Sequence, residues 1–507
     1  MQKAANVNST VPHCPKQLVI ALLVATVSGC AGQTISQPSR PVNVLLVTLD
    51  TTRADRLGCY GNGRIDTPHL DRLAREGTLF EQAFTPIPST LPSHCSIMTG
   101  NYPAYHGVHD NGVYSLDDTA NTLAEILQSR GYDTAAFVSA FVLDHQFQLD
   151  QGFNVYDDQM RLPLIQADPV QLAEKAPEDR KRWVAQLATK YHRRAEDVTP
   201  QAIEWLRQER AKPFFLWVHF FDPHQPYQAP GEWATKYDAD YTGPMDGDSA
   251  IFFSEMERHG KRYRRQDWQH MVARYDAEIA YMDHWIGRLL QACEEIDRAD
   301  ETLVIVVGDH GESFGEHNIQ IWEHNQTAFD EVMRVPLIIR RPDGVGAGTK
   351  VSRLVRTIDV APTVLDSLGH PGWEKMQGES LLSLLEDPRA YAPGEILVEA
   401  RRGKQVLTAK HSYVGLRNEQ FKLILTLHPE QDLTVIDAPK GILAVELYDV
   451  KRDPQEKTSL IDEQAKRVDS MKQDLADKHG EVYRDINVER ELNALESEAL
   501  RSLGYVK

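Results

Sequence analysis

The chain has 507 residues, 41% of them hydrophobic, so it can bury a sizeable core as one large α/β domain with a smaller companion. A formal net charge of −19 with no basic cluster argues against a nucleic-acid surface. It does not exclude an anionic substrate, because a bound metal ion can dominate the local field.

In chain order, Lys16 closes a polar leader, and Gln17 to Val27 (QLVIALLVATV) is an apolar run too short to span a bilayer comfortably. The string Val27-Ser28-Gly29-Cys30 resembles a bacterial lipobox, in which the cysteine is lipidated and becomes the first mature residue. Residues 1–29 are therefore expected to be a lipoprotein signal peptide and 30–41 a polar tether. The protein is then exported to the bacterial cell envelope and held on a membrane through Cys30; an ordinary export signal or an uncleaved anchor is the alternative. Cys59, Cys95 and Cys293 remain, an odd number without paired spacing, so this is no disulfide scaffold.

Val42 to Leu49 is a near-continuous apolar run, as a parallel strand covered on both faces requires, and it ends in Asp50. Pro68 to Gly77 reads as a short amphipathic helix with Leu70 and Leu73 inward. In PIPSTLPSHCSIMTG (86–100), Pro92 suits a first helical turn, so a helix begins beside Thr90. A hydroxyl there faces unpaired N–H groups and the positive end of the dipole, which suits attack on an anionic phosphoryl or sulfuryl centre; a simple cap is the bland alternative. Helix 122–130 and strand 132–139 follow, and 160–200 is a polar, helical excursion. Phe214 to Phe221 is a buried strand ending in Asp222-Pro223-His224. A long helix from Trp268 to Ile296 carries an apolar stripe that reads as core rather than a cofactor box. Thr302 to Val307 is a strand ending in Gly308-Asp309-His310, and Val335 to Ile339 is another. This alternation is that of an α/β fold with a parallel sheet. Short strand candidates at 395–399, 405–409, 413–417, 421–426 and 445–450, with a helix over 461–479, read as a small antiparallel sheet backed by a helix. The expected division is a catalytic domain over 42–390 and a C-terminal subdomain over 391–507.

Asp50, His224 and Asp309-His310 each follow a strongly apolar strand, and in an open α/β sheet such ends gather where ligands bind. Asp50, Thr90, Asp309 and His310 form a set of oxygen and nitrogen donors that suits one divalent cation, Ca, Mn, Zn or Mg. The cation lowers the hydroxyl's pKa; without it Thr90 is a poor nucleophile. Asp222 is a candidate ligand for a second metal, but the spaced ligands of a full second site are not apparent. His219, inside its strand, reads as structural.

VLLVTLDTTRADRLGCYG (44–61) and TPHLDRLAREGTLFEQAF (67–84) resemble the opening of the sulfatase family, within the alkaline phosphatase superfamily. TLPSHCSIMTG is similar to its signature Cys/Ser-x-Pro-Ser-Arg-x(4)-Thr-Gly, and GDHGESFGEH, DEVMRVPLIIRRP and ELYDVKRDPQEKTSL resemble later family segments. The resemblance covers about residues 43 to 462 in order. It implies an alkaline-phosphatase/sulfatase-like α/β sandwich with a mostly parallel central sheet, a small C-terminal antiparallel sheet and a helix. It also puts Asp50, Thr90, Asp309 and His310 on metal-ligand positions, Thr90 on the nucleophile position and His224 on an anion-contacting histidine. His310 stands where many sulfatases have Asn. SFGEHNIQIWEH resembles a transferase pattern in which a later histidine, here His324, faces the departing group. His94, Asn111 and Arg53 are candidate substrate or network residues, with pairing of Arg53 to Asp55 as the alternative.

The departures from the family pattern bear on chemistry. A sulfatase needs Cys or Ser at the position of Thr90, because an enzyme oxidises that residue to formylglycine, and threonine cannot give that aldehyde, so no formylglycine is expected. His94 replaces the signature's Arg, and TAAFVSAF stands where a lysine–histidine element is expected. Threonine is the nucleophile in related branches, including nucleotide pyrophosphatases and the phosphoethanolamine and lipoteichoic-acid transferases. The resulting expectation is a metal-dependent ester hydrolase with an anionic ester substrate, phosphate or phosphonate preferred over sulfate. The alternatives are a transferase of phospho-groups to an envelope glycan or lipid, and a non-catalytic sulfate- or glycan-binding pseudo-sulfatase.

Overall fold

Residues Asn43–Leu49 are all buried, and they form β1 at the middle of the main sheet. Their side chains alternate between two cores: Val44 and Leu46 enter one, Leu45, Val47 and Leu49 the other. A strand that is apolar on both faces needs cover on both, which explains the uninterrupted apolar run. In the computed structural model, residues 42–160, 192–243, 245, 264–317, 324–400, 411–428, 441–484, 486 and 488 are described. The expected signal peptide with Cys30, the tether, the strand expected at 405–409 and most of the 160–200 excursion lie outside them.

β1 pairs in parallel with β5 (Phe214–Phe220) on one side and β6 (Thr302–Gly308) on the other. Beyond β5 lie β3 (Asp133–Phe137) and β4 (Val155–Asp157), again parallel. Beyond β6 the direction changes. The segment expected as one strand over 335–339 is two, β7 (Arg334–Val335) and β8 (Leu337–Arg340), on either side of Pro336. β8 runs antiparallel to β6 and to β2 (Thr78–Phe84), which is itself parallel to β9 (Thr349–Arg356). The result is a nine-stranded, mostly parallel sheet.

Helix α1 (Pro68–Glu76) buries Leu70 and Leu73, as its spacing requires. Helix α2 (Thr90–Thr99) is buried along its whole length on the other face of the sheet, with Leu91, Cys95 and Met98 in the Val44 core. The long helix α3 (Arg265–Glu295) sends Tyr275, Ile279, Met282, Ile286 and Leu289 into the Leu45 core, so its stripe is core. Among the described residues no helix is long and apolar enough to cross a membrane.

The second sheet is antiparallel, in the order β10 (Glu395–Ala400), β11 (Ser412–Asn418), β12 (Phe421–Leu427) and β13 (Ile442–Asp449). Helix α4 (Ala465–Val482) covers it through Val468, Met471 and Leu475. A buried ion cluster locks this sheet to the loop leaving the site. Lys422 Nζ lies 2.7 Å from Asp330 and 2.9 Å from Glu456, and Arg417 adds a 3.1 Å contact to Asp330. With two cations set against two carboxylates, no charge in the cluster is left uncompensated, the condition under which buried ions are tolerated. The neighbouring turn donates from Lys457 Nζ to Glu316 O, and the backbone N–H of Glu399 reaches Pro86 O at 2.8 Å. The second sheet thus touches the segment leading into Thr90, and the turn after β13 touches the segment that follows His310.

Candidate active site

The register Leu49↔Phe220 and Leu49↔Gly308 brings the carboxyl ends of β5, β1 and β6 side by side. Asp50 and Asp309 therefore emerge as neighbours, their backbones tied by Asp50 N–H to Phe220 O at 3.0 Å and Asp309 N–H to Leu49 O at 3.1 Å. Thr51 then turns left-handed, with φ 47°, a costly conformation for a β-branched residue, on the order of 1–3 kcal/mol. The turn is held from both sides. Thr51 N–H donates to Asp309 Oδ1 at 3.1 Å, and the hydroxyl of Tyr275 donates to Thr51 O at 2.7 Å.

Asp309 Oδ1 also accepts the His310 amide at 2.6 Å, which leaves Oδ2 facing inward. That oxygen and both oxygens of Asp50 are buried with no hydrogen-bond donor among the described residues. His310 Nδ1 faces the carbonyl of Gly311 at 3.0 Å, so it carries the proton and Nε2 presents a lone pair. Nε2 lies 3.4 Å from Thr90 Oγ1, 3.5 Å from Asp309 Oδ2 and 3.7 Å from Asp50 Oδ1. Four electron-rich atoms thus converge on one buried point, an arrangement that is repulsive unless a cation sits among them. Burial, then the facing Asp309 and Glu312 carboxylates, push the Asp50 carboxyl well up; burial pushes Asp309 up and His310 well down. The donor set of two carboxylates, one imidazole and one hydroxyl fits a divalent metal ion, and Asp50, Asp309 and His310 are close enough to share one.

Thr90 is the first helical residue of α2, and the cap position belongs to Ser89, so Thr90 is not the cap. Its position is fixed by three contacts. Leu91 N–H donates to Asn111 Oδ1 at 2.8 Å, Ser93 Oγ donates to Asp309 O at 2.7 Å, and His94 Nδ1 meets Thr90 O at 2.7 Å. Of the first-turn amides, Leu91's is committed to Asn111 and Ser93's to Ser89 O, while Pro92 has none. The helix start therefore offers Thr90's own N–H rather than a full set of donors, fewer than the sequence suggested.

His94 stands below α2 rather than in an open cleft. Trp217 Nε1 donates to Thr48 Oγ1 at 2.9 Å, and Thr48 Oγ1 lies 2.9 Å from His94 Nε2. An indole can only donate and a carbonyl can only accept, so the chain runs one way, from Trp217 through Thr48 and His94 to Thr90 O. Burial pushes the imidazole down to about 4, so it is neutral with the proton on Nδ1. Both nitrogens are engaged inside the protein. Arg53 is likewise engaged, at Asp55 as the alternative had it. Its Nε and Nη2 pair with Asp55 at 2.9 and 2.8 Å, and Nη1 meets Glu316 and the Glu312 carbonyl. Asn111 is not on a substrate path through its Oδ1, which holds the helix start.

His224 and His324 do lie beside the cluster. The His324 ring centroid is 4.5 Å from that of His310 and 5.0 Å from that of His224. His324 Nδ1 lies 3.3 Å from Glu312 Oε1, and Glu312 also accepts from the Tyr227 hydroxyl at 3.2 Å. Burial pushes the Glu312 carboxyl up to about 7. Sequence reasoning did not single out Glu312; its signal was its place two residues beyond Asp309-His310, on the same turn. Asp222 accepts from Ala195 N–H at 2.8 Å and joins no cluster of three potential ligands among the described residues.

A family model described as Sulfatase matches residues 42–370, and one described as N-sulphoglucosamine sulphohydrolase, C-terminal, matches 315–482. The chain belongs to the sulfatase family. It is 25% identical to an N-acetylglucosamine-6-O-sulfatase of Bacteroides thetaiotaomicron over 90% of this chain and 89% of that protein. It is 27% identical to an arylsulfatase of Clostridium perfringens, over 85% of this chain and 92% of that one. The phosphonate monoester hydrolase of Agrobacterium radiobacter shares the fold, with a TM-score of 0.65 at 23% identity, covering 87% of this sulfatase-family chain and 96% of that one. The mixed sheet, the separate four-stranded sheet and the C-terminal helix are those of this family's fold.

Proposed function

We propose that this sulfatase-family hydrolase uses Thr90 as its nucleophile and acts on phosphodiesters or phosphonate monoesters in preference to sulfate esters. The observation that carries this reading is the Thr90 hydroxyl, 3.4 Å from His310 Nε2, set among buried carboxylate oxygens that complete no hydrogen bond among the described residues. Asp50, Asp309 and His310 would hold a divalent ion, which lowers the pKa of the hydroxyl and neutralises charge on the transferred group. Thr90 Oγ1 releases its proton to solvent and attacks phosphorus in line, the ester to Thr90 forms, and the bond to the leaving oxygen breaks. His324, aligned by Glu312, is placed to give that oxygen a proton, and His224 flanks the equatorial oxygens. Water, giving a proton back to His324, then attacks phosphorus, the bond from phosphorus to Thr90 Oγ1 breaks, and Oγ1 regains a proton from solvent.

Two features favour phosphorus over sulfur. A formylglycine hydrate expels sulfate by collapsing to the aldehyde, whereas a threonine sulfate must wait for attack at sulfur. The site is also poor in fixed cations: Arg53 is paired with Asp55 and Glu316, and His94 is held neutral. A monoanionic diester or phosphonate monoester tolerates that better than a dianion does. A panel of nitrophenyl sulfate, phosphate monoester, phosphodiester and phosphonate monoester, each with Ca, Mn, Zn and Mg, should give the highest kcat/KM for the last two substrates. Efficient sulfatase activity without phosphoester activity overturns this reading.

A further inference from the structure

Beneath the proposed metal ligands lies a second histidine pair, His94 and His219, with ring centroids 5.0 Å apart. With Asp309 they form a group close enough to hold an ion, yet their hydrogen bonds rule that use out. Both His94 nitrogens are engaged, by Thr90 O and Thr48 Oγ1. His219 Nδ1 accepts the backbone N–H of Ser139 at 3.2 Å, and the Ser139 hydroxyl donates to His219 O at 2.6 Å. An amide can only donate, so Nδ1 bears the lone pair and Nε2 carries the hydrogen. A protonated Nε2 cannot ligate. Nε2 lies 3.5 Å from Asp50 Oδ2, just outside hydrogen-bond geometry, and both groups are fully buried.

We propose that His219 is a positioning residue for Asp50, its Nε2–H directed at Oδ2 so that Oδ1 is the oxygen turned toward His310 Nε2. Among the described residues neither Asp50 oxygen completes a hydrogen bond of ordinary geometry, so His219 Nε2–H, 3.5 Å from Oδ2, joins the nearby Thr51 amide as one of the few polar groups that can set the rotamer. A ligating carboxylate whose outer partner is lost typically drops metal affinity by about 10–100-fold. The inference rests on the reading of Asp50 as a metal ligand.

The test is Mn2+ affinity, titrated calorimetrically on metal-stripped protein, for wild type, Asp50→Asn, His219→Phe and His219→Gln. His219→Phe is expected to bind Mn2+ about 10–100-fold more weakly, and His219→Gln, which keeps an N–H donor, to lose less. Wild-type affinity in His219→Phe, with Asp50→Asn weakened, overturns the role of His219 alone; wild-type affinity in Asp50→Asn overturns the ligand reading and the inference with it. Histidine tautomers read by 15N NMR on the wild-type protein, with the His219 signal assigned by its absence in His219→Gln, test the geometry even if His219→Phe does not fold. An Nε2–H tautomer supports the proposal, and an Nδ1–H tautomer overturns it.

Discussion

Thr90→Ala is expected to lower kcat on the best ester substrate by at least about 1000-fold while the protein keeps most of its bound metal. The loss is large because, on the proposed reading, the hydroxyl is the group that forms the covalent ester; the retention follows because Asp50, Asp309 and His310 remain, and their geometry is set by the strand ends rather than by Thr90. Thr90→Ser keeps the oxygen and should retain a measurable part of the activity. Steady-state kinetics on freshly purified variants, with metal content by mass spectrometry, decide it; a Thr90→Ala enzyme as active as wild type would falsify the nucleophile assignment.

Asp309→Ala should lose metal and turnover together, with affinity falling by more than about 100-fold. Asp309 has two tasks. Oδ2 would face the ion on the proposed reading, and Oδ1 accepts from the amides of Thr51 and His310. Removing it subtracts a charged donor and also releases the left-handed turn at Thr51, so added metal should not restore activity fully. If Asp309→Ala keeps both its metal and its turnover, the site has been misplaced.

The strands that carry the site were legible because their physics is local. β1, β5 and β6 are buried on both faces, so each is a continuous apolar run ending in an acid or a histidine. β2 and β9 were not visible as strands, because Glu81 and Gln82 interrupt the first and Lys350, Ser352 and Arg353 the second. Pro336 split what read as one strand, since it cannot donate to a ladder. The side-chain partners were less legible because they are distant in sequence. Arg53 was expected at the anion or at Asp55; the structure adds Glu316, which lies 263 positions away. His94 was set by family register against substrate, and only the fold brings Thr48 and Trp217 beneath it. His219 read as structural because the alternation of β5 points it inward, and nothing local shows that Asp50 stands there.

The most direct measurement is to catch the enzyme in mid-turnover. A reaction with an aryl phosphonate monoester or phosphodiester is quenched in acid within the first turnover and digested, and the peptide spanning residues 86–100 is examined by mass spectrometry. The expected result is the substrate's phosphoryl or phosphonyl group esterified to Thr90, absent in Thr90→Ala. An adduct on any other residue, or full turnover with no adduct and an unmodified Thr90 at every quench time, would contradict the account.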